Sequence, residues 1–272
     1  MQLSLARRCF IREIRQPDEI INLERAALYI AQEAHPTLDI DESIASLDAI
    51  ACVIRDRIPE SRYPLKIIQT INQYLYAELG FRGNRTDYYN TQNSYLNQVL
   101  EHRLGIPITL ALVYLSVAKR LDFPMLGIGM PGHFLIRPDV GEMDIYVDAF
   151  NSGEILFPQD CEALLQKLYQ EPVRLSPDLL QSVSNRQFLA RLLGNLKGVA
   201  INQGDIPAAL AAVERILLLF PNAPAELRDR GILYFQLRRW PEARHDLEIY
   251  LETDPTAGDR DLIQDLLRKI NS

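Results

Sequence analysis

The chain has 272 residues, 47% hydrophobic and 24% charged, a composition typical of a folded protein with one or two domains. Its net charge of −7 gives no general electrostatic attraction to nucleic acid or to an anionic membrane, so neither is expected as a partner. The three cysteines lack C-x-x-C spacing and the four histidines lack metal-ligand spacing, so we expect no disulfide framework, no metal and no cofactor.

The N-terminal residues contain no signal-peptide core, and no stretch approaches the roughly 18 apolar residues of a membrane span, which indicates a cytoplasmic protein. Residues 10–80 then space their apolar side chains as amphipathic helices do. The pattern predicts three helices. The first covers 18–31, the second starts after a cap at Asp41, and the third covers 64–80. These helices carry no chemical motif and are interpreted as a scaffold.

Residues 81–160 change character. A loop rich in Gly, Asn and Tyr leads to a short helix that ends near Gly105, and Pro107 can start a largely apolar, buried helix. Two strand candidates follow, over 124–136 and 143–150, with a hairpin turn at 138–142. An apolar helix before an antiparallel hairpin is an α+β pattern.

Residues 185–272 contain an internal repeat. The segment that starts at Gly204 aligns with the one that starts at Arg238, and Pro221 aligns with Pro255, each pair 34 residues apart. A helical period of this length with a closing Pro is the tetratricopeptide signature. We expect Trp240 in the repeat core and a capping helix after Gly258, which predicts an all-α tail over 181–272 behind a domain over 1–180.

The central zone resembles the transglutaminase-like superfamily, especially its bacterial SirB-type branch, in which such a domain precedes tetratricopeptide-like helices. Four blocks in order carry the resemblance: Asn93-Ser94-Tyr95-Leu96, Arg103 to Ala111, Pro131-Gly132-His133-Phe134-Leu135, and Val147-Asp148-Ala149-Phe150-Asn151. The resemblance implies a papain-like α+β fold with a helical leader and a small antiparallel sheet, followed by the all-α tail.

In active members of the superfamily, a Cys at the N-terminus of the buried helix works with a His and an Asp. The helix N-terminus favours the thiolate, the His moves the proton, and the Asp orients the His. The resemblance assigns the last two roles to His133 and Asp148 and places Pro107 at the Cys position. Proline offers no nucleophile, so transfer of an acyl group through a thiol is not expected.

Several assignments stay open at this stage. His133 and Asp148 form either a residual catalytic pair or a structural one, with Asp148 capping the following turn. Thr109 or Ser94 is a substitute nucleophile in one interpretation; in the other, Thr109 bonds a backbone carbonyl and Ser94 caps a helix. Arg103 either binds an acidic ligand or pairs with Glu101 or another local carboxylate. Possible cleft-lining residues are Asn93, Ser94, Tyr95, Arg103 and Thr109, and Tyr88 and Tyr89 either join them or pack the leader.

The sequence therefore predicts a non-catalytic transglutaminase-like protein, a pseudoenzyme that acts as a protein-binding or regulatory module. Its partners would be other proteins or peptides bound through the repeat tail. The alternative is a hydrolase or transferase of altered mechanism that uses His133 and Asp148 as a general base pair.

Overall fold

The computed structural model describes residues 3–141, 143–170, 174–254 and 256–271. The chain divides into two compact units, Met1–Phe188 and Leu189–Ser272. The first is mostly helical with small sheets, and the second is helical throughout the part described. Within the described ranges, no helix combines the length and the hydrophobicity that crossing a membrane requires.

Helices dominate the first unit. They are α1 (Leu5–Ile14), α2 (Leu23–Ala34), α3 (Ile40–Arg55), α4 (Pro64–Asn72), α5 (Leu96–His102), α6 (Pro107–Arg120) and α7 (Pro158–Tyr169). A π-helix over Gln73–Glu78 continues α4, and 3-10 turns cover Asp18–Ile20, Thr91–Ser94 and Pro177–Leu180.

Two sheets complete this unit. A parallel pair consists of β1 (Arg82–Gly83) and β2 (Leu104–Gly105). The other sheet is antiparallel, in the order β3 (Met125–Ile128), β4 (Leu135–Pro138), β5 (Tyr146–Asp148) and β6 (Glu154–Leu156).

Helix α6 is central to the first unit, since α2, α3, α5 and strands β1 to β4 all contact it. Most of its side chains are buried, and Tyr114 is completely so. The Tyr114 hydroxyl donates to Asn72 Oδ1 at 3.0 Å, which ties α6 to the end of α4. Because other elements surround α6 on nearly all sides, most of its side chains must be apolar. This apolar sequence is what predicted a buried helix.

Two predicted helix starts are wrong by a few residues. Helix α2 is capped by Asn22, whose side chain accepts from a first-turn amide, while Asp18 lies in a 3-10 turn. Helix α3 is capped by Asp39, whose Oδ1 accepts from the Asp41 amide at 2.9 Å. Asp41 therefore lies inside the first turn, where a carboxylate still favours the positive end of the helix dipole.

The antiparallel sheet has four strands, whereas the sequence pattern predicted two. The first predicted strand is itself a hairpin, because Gly132 adopts a φ of +71° and reverses the chain between β3 and β4. The second predicted strand contains β5, and β6 follows the turn after Asp148. Glu142, at the end of the predicted 138–142 turn, lies outside the described residues.

The second unit consists of paired helices, as the 34-residue period predicted. Helices α8 (Asn185–Gln203, which begins in the first unit), α9 (Ile206–Leu219), α10 (Pro224–Gln236) and α11 (Trp240–Thr253) precede α12 (Arg260–Asn271). Gly231 of α10 meets Leu247 of α11 so closely that an added Cβ would lie 2.7 Å from the Leu side chain. A small residue at this position lets the two helices pack closely.

Two predicted features of the repeat were not confirmed: the one at Trp240 is wrong, and the one at Pro255 lies outside the described residues. Trp240 is 38% exposed and packs edge-on against Phe235, with ring centroids 5.1 Å apart, so its prediction as repeat core is wrong. Trp240 is the first residue of α11, and a large side chain at the start of a helix can extend into solvent. Pro255 lies outside the described residues. The expected capping helix is α12, whose Ile263 is fully buried in a cluster with Leu247 and Tyr250.

Candidate functional site

His133 and Asp148 form a buried hydrogen-bonded pair. His133 Nε2 lies 2.8 Å from Asp148 Oδ2, and the two side chains are 8% and 0% exposed. His133 follows the turn at Gly132, in which its amide donates to the Met130 carbonyl at 3.1 Å. Asp148 is the last residue of β5. A carboxylate so placed orients the imidazole.

The turn after β5 uses the same carboxylate. Asp148 Oδ1 accepts from the amides of Phe150 and Asn151 at 3.0 and 3.1 Å. Asp148 Oδ2 accepts a bond from Asn151 Nδ2 at 2.7 Å in addition to the His133 contact. With four hydrogen bonds, the carboxylate uses its full accepting capacity. Asp148 therefore both caps the turn and holds His133, so the two interpretations of this residue are compatible.

The first turn of α6 contains Pro107 and Thr109. Pro107 occupies the first helical position, where its missing amide proton costs little. Thr109 Oγ1 accepts from the Ile106 amide at 3.1 Å and faces the carbonyls of Asn93 and Ile106 at 2.7 and 3.2 Å. Thr109 is fully buried, and its hydroxyl is committed to backbone groups.

Asn93 fastens the loop before α5. Its Nδ2 donates to the carbonyls of Asp87 and Tyr88 at 2.7 and 3.1 Å, and its Oδ1 accepts from Asn84 Nδ2 at 3.0 Å. The side chain is 3% exposed, and its main chain accepts the Thr109 bond. Asn93 thus connects the 84–92 loop to the first turn of α6 as an internal support.

The other predicted cleft residues lie close to this region but act differently. Ser94 is 2% exposed, and its Oγ has no partner among the described residues; Tyr95 provides the N-cap of α5, so Ser94 is not the cap that we expected. Tyr95 packs edge-on against His35 at 5.1 Å. Arg103 donates to the Leu79 carbonyl, so its expected pairing with Glu101 is wrong.

Gly83 and Phe150 connect the helix end to the His–Asp pair. Gly83 pairs with Gly105, two residues before Pro107, and an added Cβ on Gly83 would lie 2.5 Å from the Phe150 ring. That ring in turn packs edge-on against His133, with centroids 6.1 Å apart. Strand β1 and the Phe150 ring therefore connect Gly105, near the start of α6, with His133.

Burial controls the ionisation of two groups near Asp148. The Tyr76 hydroxyl is buried without a hydrogen-bond partner among the described residues, and burial, aided by the Asp148 charge, raises its pKa. Cys161 in α7 is fully buried, and burial, aided by nearby aspartates, raises the pKa of its thiol to about 12. Cys161 is therefore a neutral thiol at physiological pH and a poor nucleophile.

Two cavities occur elsewhere in the first unit. One of about 420 Å³ lies along Leu112, Leu115 and Lys119 of α6, against Ile21 and Phe188. The other, of about 610 Å³, lies beside Arg137 and Tyr146. The residues lining these two cavities do not include Pro107, His133 or Asp148.

The arrangement provides an oriented imidazole and no activated thiol. A His–Asp pair can act as a general base or acid toward a group within hydrogen-bonding distance. No group of three or more His, Cys, Asp or Glu side chains suited to a metal occurs in the described ranges.

Sequence reasoning did not single out four residues that shape this region. Phe150 and Asn151 were quoted only as part of a motif, although the Asn151 side chain bonds both Asp148 and Arg85. Arg85 and Tyr76 carried no signal, because their proximity to the pair arises only from the fold. The local sign that pointed to Asn151 is the Asn-Ser-Gly turn that it begins, three residues after the strand-ending Asp148.

Comparisons with known proteins give a consistent result. Residues 41–194 match the transglutaminase-like superfamily, and residues 196–268 match a tetratricopeptide repeat. A UPF0162 protein of Xylella fastidiosa is 38% identical over 91% of this chain and 89% of its own length, and one of Vibrio cholerae is 30% identical over 88% and 90%. Human F-box only protein 21 is 30% identical over 84% of this chain and 41% of its own length. No solved structure matches the chain.

Proposed function

The chain belongs to the transglutaminase-like superfamily, and we propose that within it the protein is a non-catalytic, protein-binding or regulatory module. The observation that carries the proposal is Pro107 in the first turn of α6, the position that the family resemblance gives to the nucleophilic Cys. A helix start suits a thiolate because of its dipole, and a proline there leaves His133 and Asp148 without a nucleophile to activate.

The remaining candidates for a nucleophile support the same conclusion. The Thr109 hydroxyl is held by three backbone groups, and its deprotonation would break contacts that fix the turn. Cys9 and Cys52 belong to α1 and α3, and Cys161 is a buried thiol of raised pKa. All three cysteines are free, which suits the reducing cytoplasm in which we place the protein.

The repeat unit supplies the binding role in this proposal. Tetratricopeptide arrays stack helix pairs into an extended surface that commonly holds peptides. The second unit matches such a repeat over residues 196–268. We propose that it binds other proteins or peptides.

Introducing a thiol tests the role of Pro107. In Pro107→Cys, we expect the thiol pKa, measured from the pH dependence of alkylation, to be at least about one unit below that of an ordinary cysteine. The shift should diminish when His133→Ala is added, because no imidazole then accepts the thiol proton.

Pro64→Cys is the matched control, since Pro64 also occupies the first position of a helix, α4, without a His–Asp pair. Equal thiol pKa values in the two variants, or no effect of His133→Ala, would mean that Pro107 does not face the pair. The alignment behind the proposal would then be wrong.

Two observations favour a second candidate, a hydrolase or transferase of altered mechanism. The 2.8 Å contact holds His133 as an oriented base, and the buried Ser94 hydroxyl has no partner among the described residues. A panel of amide, ester and thioester substrates tests this candidate. Turnover that disappears in His133→Ala supports the enzyme, whereas a panel without turnover rejects it.

A further inference from the structure

A patch of aromatic rings with one arginine lies beside the His–Asp pair. We call Arg85, Tyr88, Tyr89 and Phe150 the aromatic–arginine surface. Arg85 and Tyr89 are exposed, Tyr89 to 65%, and Tyr88 and Phe150 are partly exposed. Protein interfaces concentrate their binding energy in Tyr and Arg side chains, which offer a large contact area together with directional hydrogen bonds.

The rings form a continuous series from the buried site to solvent. His133 packs edge-on against Phe150 at 6.1 Å, Phe150 against Tyr88 at 6.1 Å, and Tyr88 against Tyr89 at 5.3 Å. Edge-on packing at these distances stabilises aromatic pairs. The series therefore holds Tyr88 and Tyr89 in place on the surface, which lowers the entropy cost of binding to them.

Arg85 gives this surface a positive charge. Its guanidinium lies 5.3 Å from the centre of the Phe150 ring and donates to Asn151 Oδ1, both uncharged partners. In the described part of the chain it forms no ion pair. A guanidinium without a carboxylate partner can form a charge-assisted hydrogen bond with an acidic group of a binding partner.

Asn151 links Arg85 to the interior. Its Oδ1 accepts from Arg85, and its Nδ2 donates to Asp148 Oδ2 at 2.7 Å, on the oxygen that also contacts His133. The amide thereby fixes the position of Arg85 relative to the buried pair, so the cation is held on an ordered turn.

We propose that the aromatic–arginine surface docks an acidic peptide segment of a partner protein. A carboxylate of the segment would bond the Arg85 guanidinium, and an apolar or aromatic side chain next to it would pack on Tyr88 and Tyr89. The inference rests on the proposed protein-binding function but places this contact on the first unit, outside the repeats.

Binding of a defined peptide to the full chain tests the proposal. The probe is a short fluorescein-labelled peptide of alternating Glu and Tyr, followed by fluorescence anisotropy. We expect saturable binding that Arg85→Gln weakens roughly ten-fold, because a charge-assisted hydrogen bond is lost. Tyr89→Ser should also weaken it, whereas Tyr63→Ser, which removes an exposed ring at the start of α4, should not.

Arg82→Gln is the matched charge control. Gly83 directs its Cβ side toward Phe150, so the preceding residue of the same strand projects to the opposite face. Arg82 is exposed, and its removal changes the net charge as Arg85→Gln does. We expect Arg82→Gln to alter binding by less than about two-fold.

Three results would overturn the proposal. They are equal weakening by the two Arg variants, equal affinity for a peptide with Lys in place of Glu, and the absence of saturable binding. None of them affects the proposed function, which is tested by the thiol at position 107. The opposite outcome is also distinguishable. If His133→Ala does not change the thiol pKa of Pro107→Cys while the peptide binds through Arg85, the docking proposal is supported and the pseudoenzyme proposal fails.

Discussion

The hydroxyl of Thr109 joins three parts of the chain at the first turn of α6. It accepts a bond from the Ile106 amide and reaches the carbonyl of Asn93, whose side chain holds the 84–92 loop. The hydroxyl that one interpretation of the sequence made a nucleophile is thus a structural connection. We therefore expect the loss of this hydroxyl to lower the free energy of unfolding.

Thr109→Val should lower the free energy of unfolding by about 2 kcal/mol, because the similar shape is kept while buried backbone groups lose a partner. Urea denaturation measures the difference. Thr70→Val is the control, since the exposed Thr70 hydroxyl bonds only the Lys66 carbonyl of its own helix, and it should have little effect. Similar values for the two variants would show that the Thr109 bonds contribute no more than an exposed one.

Single residues were predictable where local motifs decide their role. Pro107 starts its helix as expected, and Asp148 caps the turn that its sequence indicated. Arg103 was not predictable, because its partner, the Leu79 carbonyl, lies 24 positions away and no pattern connects the two. The proposed roles of His133 and Asp148 came from family resemblance, since neither residue carries a periodic signal.

Long helices were predictable from the sequence, and short strands were not resolved individually. Helices α2, α3, α4 and α6 have enough turns for apolar spacing to identify them, and the 34-residue period identified α9 and α11. The strands have two to four residues, too few for the sequence pattern to separate β3 from β4, which were predicted as one strand. β1 and β2 pair only because the fold brings Gly83 next to Gly105. The π-helix over Gln73–Glu78 has no sequence signature either, although it positions Tyr76.

Alkaline pH should destabilise the whole first unit through two buried phenols. Burial raises the pKa of Tyr76, aided by the charge of Asp148, and burial also raises the pKa of Tyr114, aided by Tyr76. Below about pH 10 both the folded and the unfolded chain keep these protons, so their contribution is constant. Above it the unfolded chain loses the protons first, and the free energy of unfolding decreases with pH.

Urea denaturation at several pH values above neutrality measures this decrease. Tyr76→Phe should reduce the slope above about pH 10, because the variant has one fewer phenol that ionises only on unfolding. Tyr89→Phe, at an exposed position, should leave the slope unchanged. A slope that Tyr76→Phe does not alter would contradict the assigned cause.

The turn that follows β5 has a consequence for how such sequences evolve. Asp148 bonds two amides of this turn as well as the Asn151 side chain, and the Asn72 side chain bonds the Gly153 carbonyl at the end of the turn. The folding of this turn alone therefore gives a reason to keep an aspartate at position 148, independent of any chemistry at His133. An architectural constraint of this kind keeps the frame around His133 in place, so a change of chemistry there would not require the turn to be rebuilt.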